Sequence, residues 1–232
     1  MNNKPKFGYL VPTRDALMRS PDGRADVRGM IDLAVKVERS GFDSLWLGDS
    51  LLARPRFEAL TTLAAISSLT TKIEMGTAVY ITPLRHPVSL AHTVSNVDLL
   101  TGGRFTFGIG LGPASPAVMA EYAAAGVDFR KRGALQEEAI QIMKGLWSGR
   151  PTSFEGRHYR IENVTLHPLP ARPGGPPILM AAAAEPTLKR LARLADGWLP
   201  IVPTPQQYAQ DWSKIVEYCA EFGRDQIGRA HV

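Results

Sequence analysis

Apolar residues fall along this chain in short blocks whose spacing alternates between two periods. A mostly apolar block at 6–11 is followed by a polar stretch with Pro21, Asp22 and Gly23, which predicts a strand and a turn. Val27, Met30, Ile31, Ala34 and Val35 then recur at helical spacing. Asp26 is placed to cap that helix and Gly41 to take the left-handed position at its end. Residues 44–49 read Ser-Leu-Trp-Leu-Gly-Asp, the nearly continuous apolar run of a parallel strand covered on both faces. The unit repeats, with 57–69 as helix, 73–80 as strand, 88–100 as helix and 105–111 as strand. Strand starts recur about every 30 residues, the length of one βα unit.

After Leu111 the rhythm lapses. Residues 113–177 hold an Ala-rich helix near 118–125, a stronger helix carrying Leu135, Ala139, Ile142, Met143, Leu146 and Trp147, a turn at Phe154-Glu155-Gly156, and a Pro-rich run at 168–177. An insertion of this kind is expected over the mouth of a barrel, shaping a substrate pocket. The pattern resumes with a fifth strand at 178–183, a helix at 186–195 and a sixth strand at 198–202. Thr204-Pro205-Gln206-Gln207 reads as a capping box with proline in the first turn, opening a helix through Tyr208, Trp212, Ile215, Val216 and Cys219.

Alternating strand and helix with buried strands leaves two architectures, a doubly wound sheet or a β/α barrel. A barrel needs eight strands to remove its edges, so six strands imply an open sheet or an incomplete barrel. The tail points to the second. Codons CAG ATC GGA AGA GCA CAC GTC would encode Gln226 to Val232 and contain the start of a widely used sequencing adapter. Residues 227–232 are therefore expected to be an assembly scar, with 1–226 as one incomplete barrel domain.

Composition narrows the chemistry. Cys219 is the single cysteine of 232 residues, so an intrachain disulfide and a thiolate metal cluster are both ruled out; it reads as a packed helix residue. The net charge of +5 comes from scattered Lys and Arg, densest at Arg130, Lys131 and Arg132 with no aromatic ladder beside them, so no nucleic-acid role is expected. No apolar run has membrane-spanning length and no signal-peptide core follows the first residues, which makes the cytoplasm the default compartment and gives no membrane partner. Histidines 86, 92, 158, 167 and 231 lack ligand spacing, so no metal site is expected, and no Gly-x-Ser-x-Gly elbow occurs.

Three places carry candidate chemistry. Gly108-Ile109-Gly110-Leu111-Gly112 follows a strand, but the third glycine of a dinucleotide fingerprint would fall on Ser115, and Pro113 and Pro116 interrupt the loop. Small residues there still let a planar ligand approach the backbone, or simply make a tight turn. Asp49 ends a buried strand and must be paired, hydrated or functional; it is read either as a site residue at a barrel mouth or as a helix cap or ion-pair partner of Arg54 or Arg56. Ala181 to Thr187 runs from a small-residue strand end into a helix, whose first amides suit a phosphate if Glu185 turns away.

Taken together these pieces resemble the luciferase-like monooxygenase family of flavin- and deazaflavin-dependent oxidoreductases. The most specific match runs from Arg85-His86-Pro87 through Leu90-Ala91, then Asp98-Leu99-Leu100-Thr101-Gly102-Gly103-Arg104-Phe105 and Gly108 to Gly112. Supporting matches are Gly41 to Trp46, Gly76 to Val79, Phe154 to Gly156 and Ala195 to Trp198.

The resemblance implies a (β/α)8 TIM barrel of the bacterial-luciferase type, with about six of eight βα units present and an insertion after the fourth strand. It implies FMN or 8-hydroxy-5-deazaflavin (coenzyme F420) at the C-terminal mouth. Asp49, the expected catalytic residue, and Ser50 would lie near the ring, with Gly76, Thr77 and Ala78 behind it at a non-proline cis bulge. Gly110 and Gly112 would border the cofactor tail, and Ala182, Ala183 and Ala184 would meet its phosphate. Ser50 stands where many members carry a histidine, and alanines with Glu185 stand where glycines are common.

The expected function is an oxidoreductase or monooxygenase acting on a small organic substrate, through oxygen activation on reduced FMN or hydride transfer with the deazaflavin. A flavin reductase or deazaflavin-reducing enzyme and a second copy of the chain are the implied partners. A non-catalytic flavin-binding protein and a non-functional gene fragment are the alternatives.

Overall fold

The computed structural model describes residues 5–14, 26–225 and 227, and in it six parallel strands stand side by side in chain order. They are β1 (Gly8–Leu10), β2 (Ser44–Leu47), β3 (Glu74–Thr77), β5 (Phe105–Gly110), β8 (Ile178–Ala181) and β9 (Gly197–Leu199). A two-residue strand, β4 (Tyr80–Ile81), pairs with the end of β5. Because the order never reverses, the sheet has no topological switch point; the doubly wound alternative falls and the sheet is a curled half-barrel. The turn expected at Pro21 to Gly23 lies outside the described residues, as does the 227–232 tail apart from Ile227, which is buried in the core. Among the described residues no helix is long and apolar enough to cross a membrane.

Strand periodicity divides the sheet into two unlike faces. Leu45, Leu47, Met75, Phe105, Phe107, Ile109, Ile178 and Met180 point outward and join one buried cluster with the helices. Many inward positions are glycine, serine or threonine, and the ring of Trp46 fills the space a Cβ would need at Gly8 and at Gly76.

Local signals set most helix ends. In α1 (Val27–Arg39) the Asp26 side chain accepts from Gly29 N at 2.8 Å and Gly41 adopts φ 81°, as its position predicts. The buried stripe is Met30, Ala34 and Val37, however, and Val27 is exposed: the helix turns its i, i+4, i+7 row to the sheet. In α7 (Pro205–Glu221) Thr204 caps Gln207 N at 3.2 Å, but the Gln207 side chain reaches forward to Asp211 rather than back, so only half of the expected capping box forms. Cys219 is buried in this helix, as expected.

The stretch 113–177 departs from expectation. Helix α5 (Arg132–Trp147) belongs to the outer helix layer beside α3 (Pro87–Leu100), and the Trp147 indole N–H donates to Ala91 O at 3.0 Å. The antiparallel hairpin of β6 (Thr152–Glu155) and β7 (Arg160–Val164) lies along the outside of these helices, with Thr152 against Gly145 and Tyr159 against His86. The following loop is tied to the far end of α3, where Asp98 accepts from Arg172 N, Nε and Nη2. Only α4 (Pro116–Ala124), its flanks and the first turns of α5, whose Gln136 donates to Thr82 and to Gly110 O, remain by the C-terminal ends of the strands, so most of this segment does not cover the mouth.

One close approach locks the two halves of the sheet. At the end of β3 the backbone leans over β5, so that a Cβ on Gly108 would overlap the Thr77 carbonyl, while the Thr77 hydroxyl donates to Gly108 O at 2.7 Å. Backbone cannot give way as a flexible side chain would. Gly108→Ala is expected to cost about 1–3 kcal/mol, read as a lower urea midpoint at unchanged slope. An unaltered midpoint would show that the approach is not tight.

Candidate functional site

The C-terminal ends of β2, β3 and β5 meet at a bulge. Strand β3 stops at Thr77, the Ala78–Val79 peptide is cis, and β4 resumes at Tyr80. The cis peptide stands where the resemblance put it. Ala78 N donates to Leu47 O at 2.7 Å and Asp49 N to Val79 O at 3.2 Å, so β2 grips the bulge from one side. From the other side β5 receives it: the Val79 side chain occupies the space a Cβ on Gly110 would take.

These contacts redistribute the expected cofactor residues. Gly76 lies under Trp46 and Thr77 has no exposed surface, so they carry the bulge rather than offer a surface of their own. Gly110 likewise makes room for Val79, and Gly112 turns the chain at φ 72°. Ala78 and Val79, partly exposed, are what remains at the surface.

Asp49 sits beside the bulge, and its partner is neither Arg54 nor Arg56 but Arg85. The guanidinium grips the carboxylate with Nη1 to Oδ2 at 2.6 Å and Nη2 to Oδ1 at 2.9 Å, and Ile81 N adds a third donor at 3.0 Å. The Asp49 side chain is 1% exposed. Burial pushes its carboxyl up, against the opposing pull of Arg85 and the Ile81 amide. Arg85 also stacks over Tyr80 at 4.2 Å, and Tyr80, its phenol pushed up by burial, donates to Glu58 at 3.0 Å. A carboxylate so occupied is held as a positioning group and is not a free base.

Ser50 is committed as well. Its hydroxyl accepts from Arg54 N at 2.9 Å and donates to Glu121 Oε1 at 3.1 Å. The same oxygen accepts from Leu52 N at 2.6 Å and from Ala53 N at 3.3 Å. Glu121, on α4, is 1% exposed, and its second oxygen is buried with no partner among the described residues. Nothing in the sequence singled out Glu121. Its place in an Ala-rich helix reads as surface, and only the fold brings it beneath the loop that follows β2.

A second feature lies at the ends of β8 and β9. A cleft of about 290 Å³ is lined by Ala182, Ala183, Trp198, Pro200 to Thr204, Gln207 and Asp211. Ala184 caps α6 (Glu185–Leu194) without a side-chain bond, and Ala183 N is already used by Thr187 Oγ1 at 3.3 Å. Glu185 does turn away, toward Lys189 at 3.4 Å and toward Tyr218; both interactions hold its carboxyl below the usual range, Tyr218 more strongly. Ala182 and Ala183 thus share one cleft, on a different pair of strands from Asp49 and Ser50, and Ala184 is not among its lining. A smaller cavity near Lys6, Asp43 and Glu74 opens at the opposite ends of the strands.

Removing Arg85 tests the ion pair. Arg85→Met leaves a buried carboxylate without its main partner, at a cost of about 3–5 kcal/mol near neutral pH, measured by urea unfolding. The sign with pH follows. Loss of Arg85 raises the folded-state pKa of Asp49 further above its unfolded value. The folded state then takes up the proton first as pH falls, and the deficit against the parent narrows toward the ordinary Asp range. A deficit that is constant with pH would place the loss elsewhere.

The comparisons with known proteins agree with this architecture. A family model described as luciferase-like monooxygenase matches residues 5–231. An F420-dependent glucose-6-phosphate dehydrogenase of Kineococcus radiotolerans is 31% identical over 179 residues, 73% of this chain and 51% of that protein. An uncharacterized protein of Mycobacterium tuberculosis, Rv0940c, is 27% identical over 91% of this chain and 78% of its own length. Among solved structures, the coenzyme F420 dependent tetrahydromethanopterin reductase of Methanopyrus kandleri has the same fold, with a TM-score of 0.80 at 21% identity over 97% of this chain and 65% of that one. The chain spans about half the length of the glucose-6-phosphate dehydrogenases it matches. It belongs to the luciferase-like monooxygenase family of α/β-barrel oxidoreductases.

Proposed function

We propose that this protein is an oxidoreductase that passes a hydride between a small organic substrate and 8-hydroxy-5-deazaflavin held at the C-terminal ends of β2 to β5. The observation that carries the reading is the bulge itself. It presents the Ala78–Val79 peptide and the Val79 side chain beside inward glycines, a floor on which a flat ring meets backbone and methyl groups in place of water. The cleft at Ala182 and Ala183, beside the first turn of α6, suits the phosphate end of such a molecule. Relatives named as F420-dependent dehydrogenases support the deazaflavin over FMN.

The chain's own residues divide the work. When bound, the deazaflavin supplies a two-electron hydride carrier. Asp49 and Arg85 hold the bulge at fixed height over β5, and Ser50, through Glu121, holds the loop at its rim. With Asp49 engaged by Arg85 and Ile81, and Glu121 by Ser50, Leu52 and Ala53, the proton that an alcohol substrate gives up as its hydride leaves would pass to solvent at the mouth. FMN with oxygen is the second reading, favoured by the monooxygenase description of the family.

The test is retention and reduction. After incubation with each cofactor and gel filtration, the protein is expected to carry the deazaflavin and to bleach it under argon with a member of an alcohol and sugar-phosphate panel. Oxygen uptake with reduced FMN would favour the second reading. Retention without turnover would make the protein a carrier, and retention of neither cofactor would end both readings.

A further inference from the structure

Arg56 has no part in the contacts described so far, yet it reaches the floor of the mouth. Along β2 the inward positions are Ser44 and Trp46, and the next in the alternation is Gly48. A Cβ on Gly48 would overlap Arg56 Nη1 and would lie 3.6 Å from Ala78 O, so the guanidinium rests on the inner face beside the bulge. Its Nε is buried without a hydrogen-bond partner among the described residues.

Among the described residues no carboxylate hydrogen-bonds it, although Asp49 and Glu121 lie close enough to pull on its charge. Asp49 is gripped by Arg85 and Ile81, and one Glu121 oxygen is filled by Ser50, Leu52 and Ala53. Burial lowers the Arg56 pKa, and Arg54 and Arg14 lower it further, against the opposing pull of Asp49 and Glu121. A half-buried cation with an unmatched donor costs stability, and such groups concentrate where a ligand completes them. A planar fork of N–H donors is made for a planar oxyanion.

We propose that Arg56 is an oxyanion-binding residue of the mouth, taking a delocalised O–C–O or O–C–N anion laid against the Ala78–Val79 bulge. The inference rests on the function proposed above, and the oxyanion has two possible sources: the pyrimidine edge of the reduced deazaflavin, or a carboxylate on the substrate.

The experiment compares the parent with Arg56→Gln and Arg56→Lys. Urea unfolding without ligand comes first: Arg56→Gln is expected to leave the midpoint unchanged or raise it, and a lowered midpoint would make Arg56 a structural residue and overturn the proposal. Binding is then measured by calorimetry with oxalate on cofactor-free protein, and by anaerobic equilibrium dialysis with oxidised and reduced deazaflavin.

A loss in Arg56→Gln of about tenfold or more for the reduced ring, with a smaller loss for the oxidised ring, assigns the oxyanion to the cofactor. A similar loss for oxalate assigns it to the substrate. Arg56→Lys, which keeps the charge without the fork, is expected to recover only part of either affinity. Equal affinities of parent and Arg56→Gln for all three probes would overturn the proposal. If the parent itself binds no deazaflavin, the proposed function fails, while the oxalate arm still decides on Arg56.

Discussion

The mouth of this half-barrel depends on the buried pairing of Asp49 with Arg85. A carboxylate at the end of an apolar strand has lost its water, and the ion pair with the Ile81 amide replaces that hydration. Such a pair adds little net stability over an apolar substitute, because desolvation consumes most of the Coulomb gain. What it confers is position. Arg85 stands just before α3 and Asp49 just after β2, so the pair ties a strand end to a helix start across the bulge between them.

Other consequences follow from that tie. The bulge can lean over β5 only because Gly108 and Gly110 have no Cβ to meet it. Elsewhere in the structure, charges near the core are well matched. Glu38 accepts from Thr71, Lys72 and Ile73, and although burial opposes it, those amides with Arg104 hold its carboxyl low. Glu138 accepts from Arg157, His158 and Tyr159, and Arg104 donates to Thr70, Ile73 and Thr101. Among the described residues, atoms of Arg56 and Glu121 at the mouth, and of Arg132 and Arg190 in the helix layer, are departures from the rule that folded chains satisfy their buried polar groups.

The family motifs take on a physical meaning here. Asp98 and Arg104, in the segment that carries the resemblance most specifically, lie at the end of the sheet away from the mouth and bind loops together. In this chain they hold the fold together and do not reach the mouth. Of the residues that shape the mouth, Arg85, Ala78, Val79, Gly108 and Gly110 lie in such motifs, while Asp49 and Glu121 lie outside them.

Local chemistry made much of this structure readable from sequence: the βα alternation, the caps at Asp26 and Thr204, the left-handed Gly41 and the buried strand of residues 44–49 all arise from neighbours within one turn or one strand. The partner of Asp49 was not readable, because Arg54 and Arg56 are nearer in sequence while Arg85 is nearer in space. Nor was Glu121, whose burial exists only when α4 packs over the loop after β2, nor the place of 152–164 outside the helices, which depends on what α3 and α5 leave uncovered. The sequence by itself determined the order and kind of the elements, since hydrophobic period and capping act over a few residues. Which charges meet and which stay unmatched was decided by the tertiary structure alone, because desolvation and pairing depend on distances that only the closed packing sets.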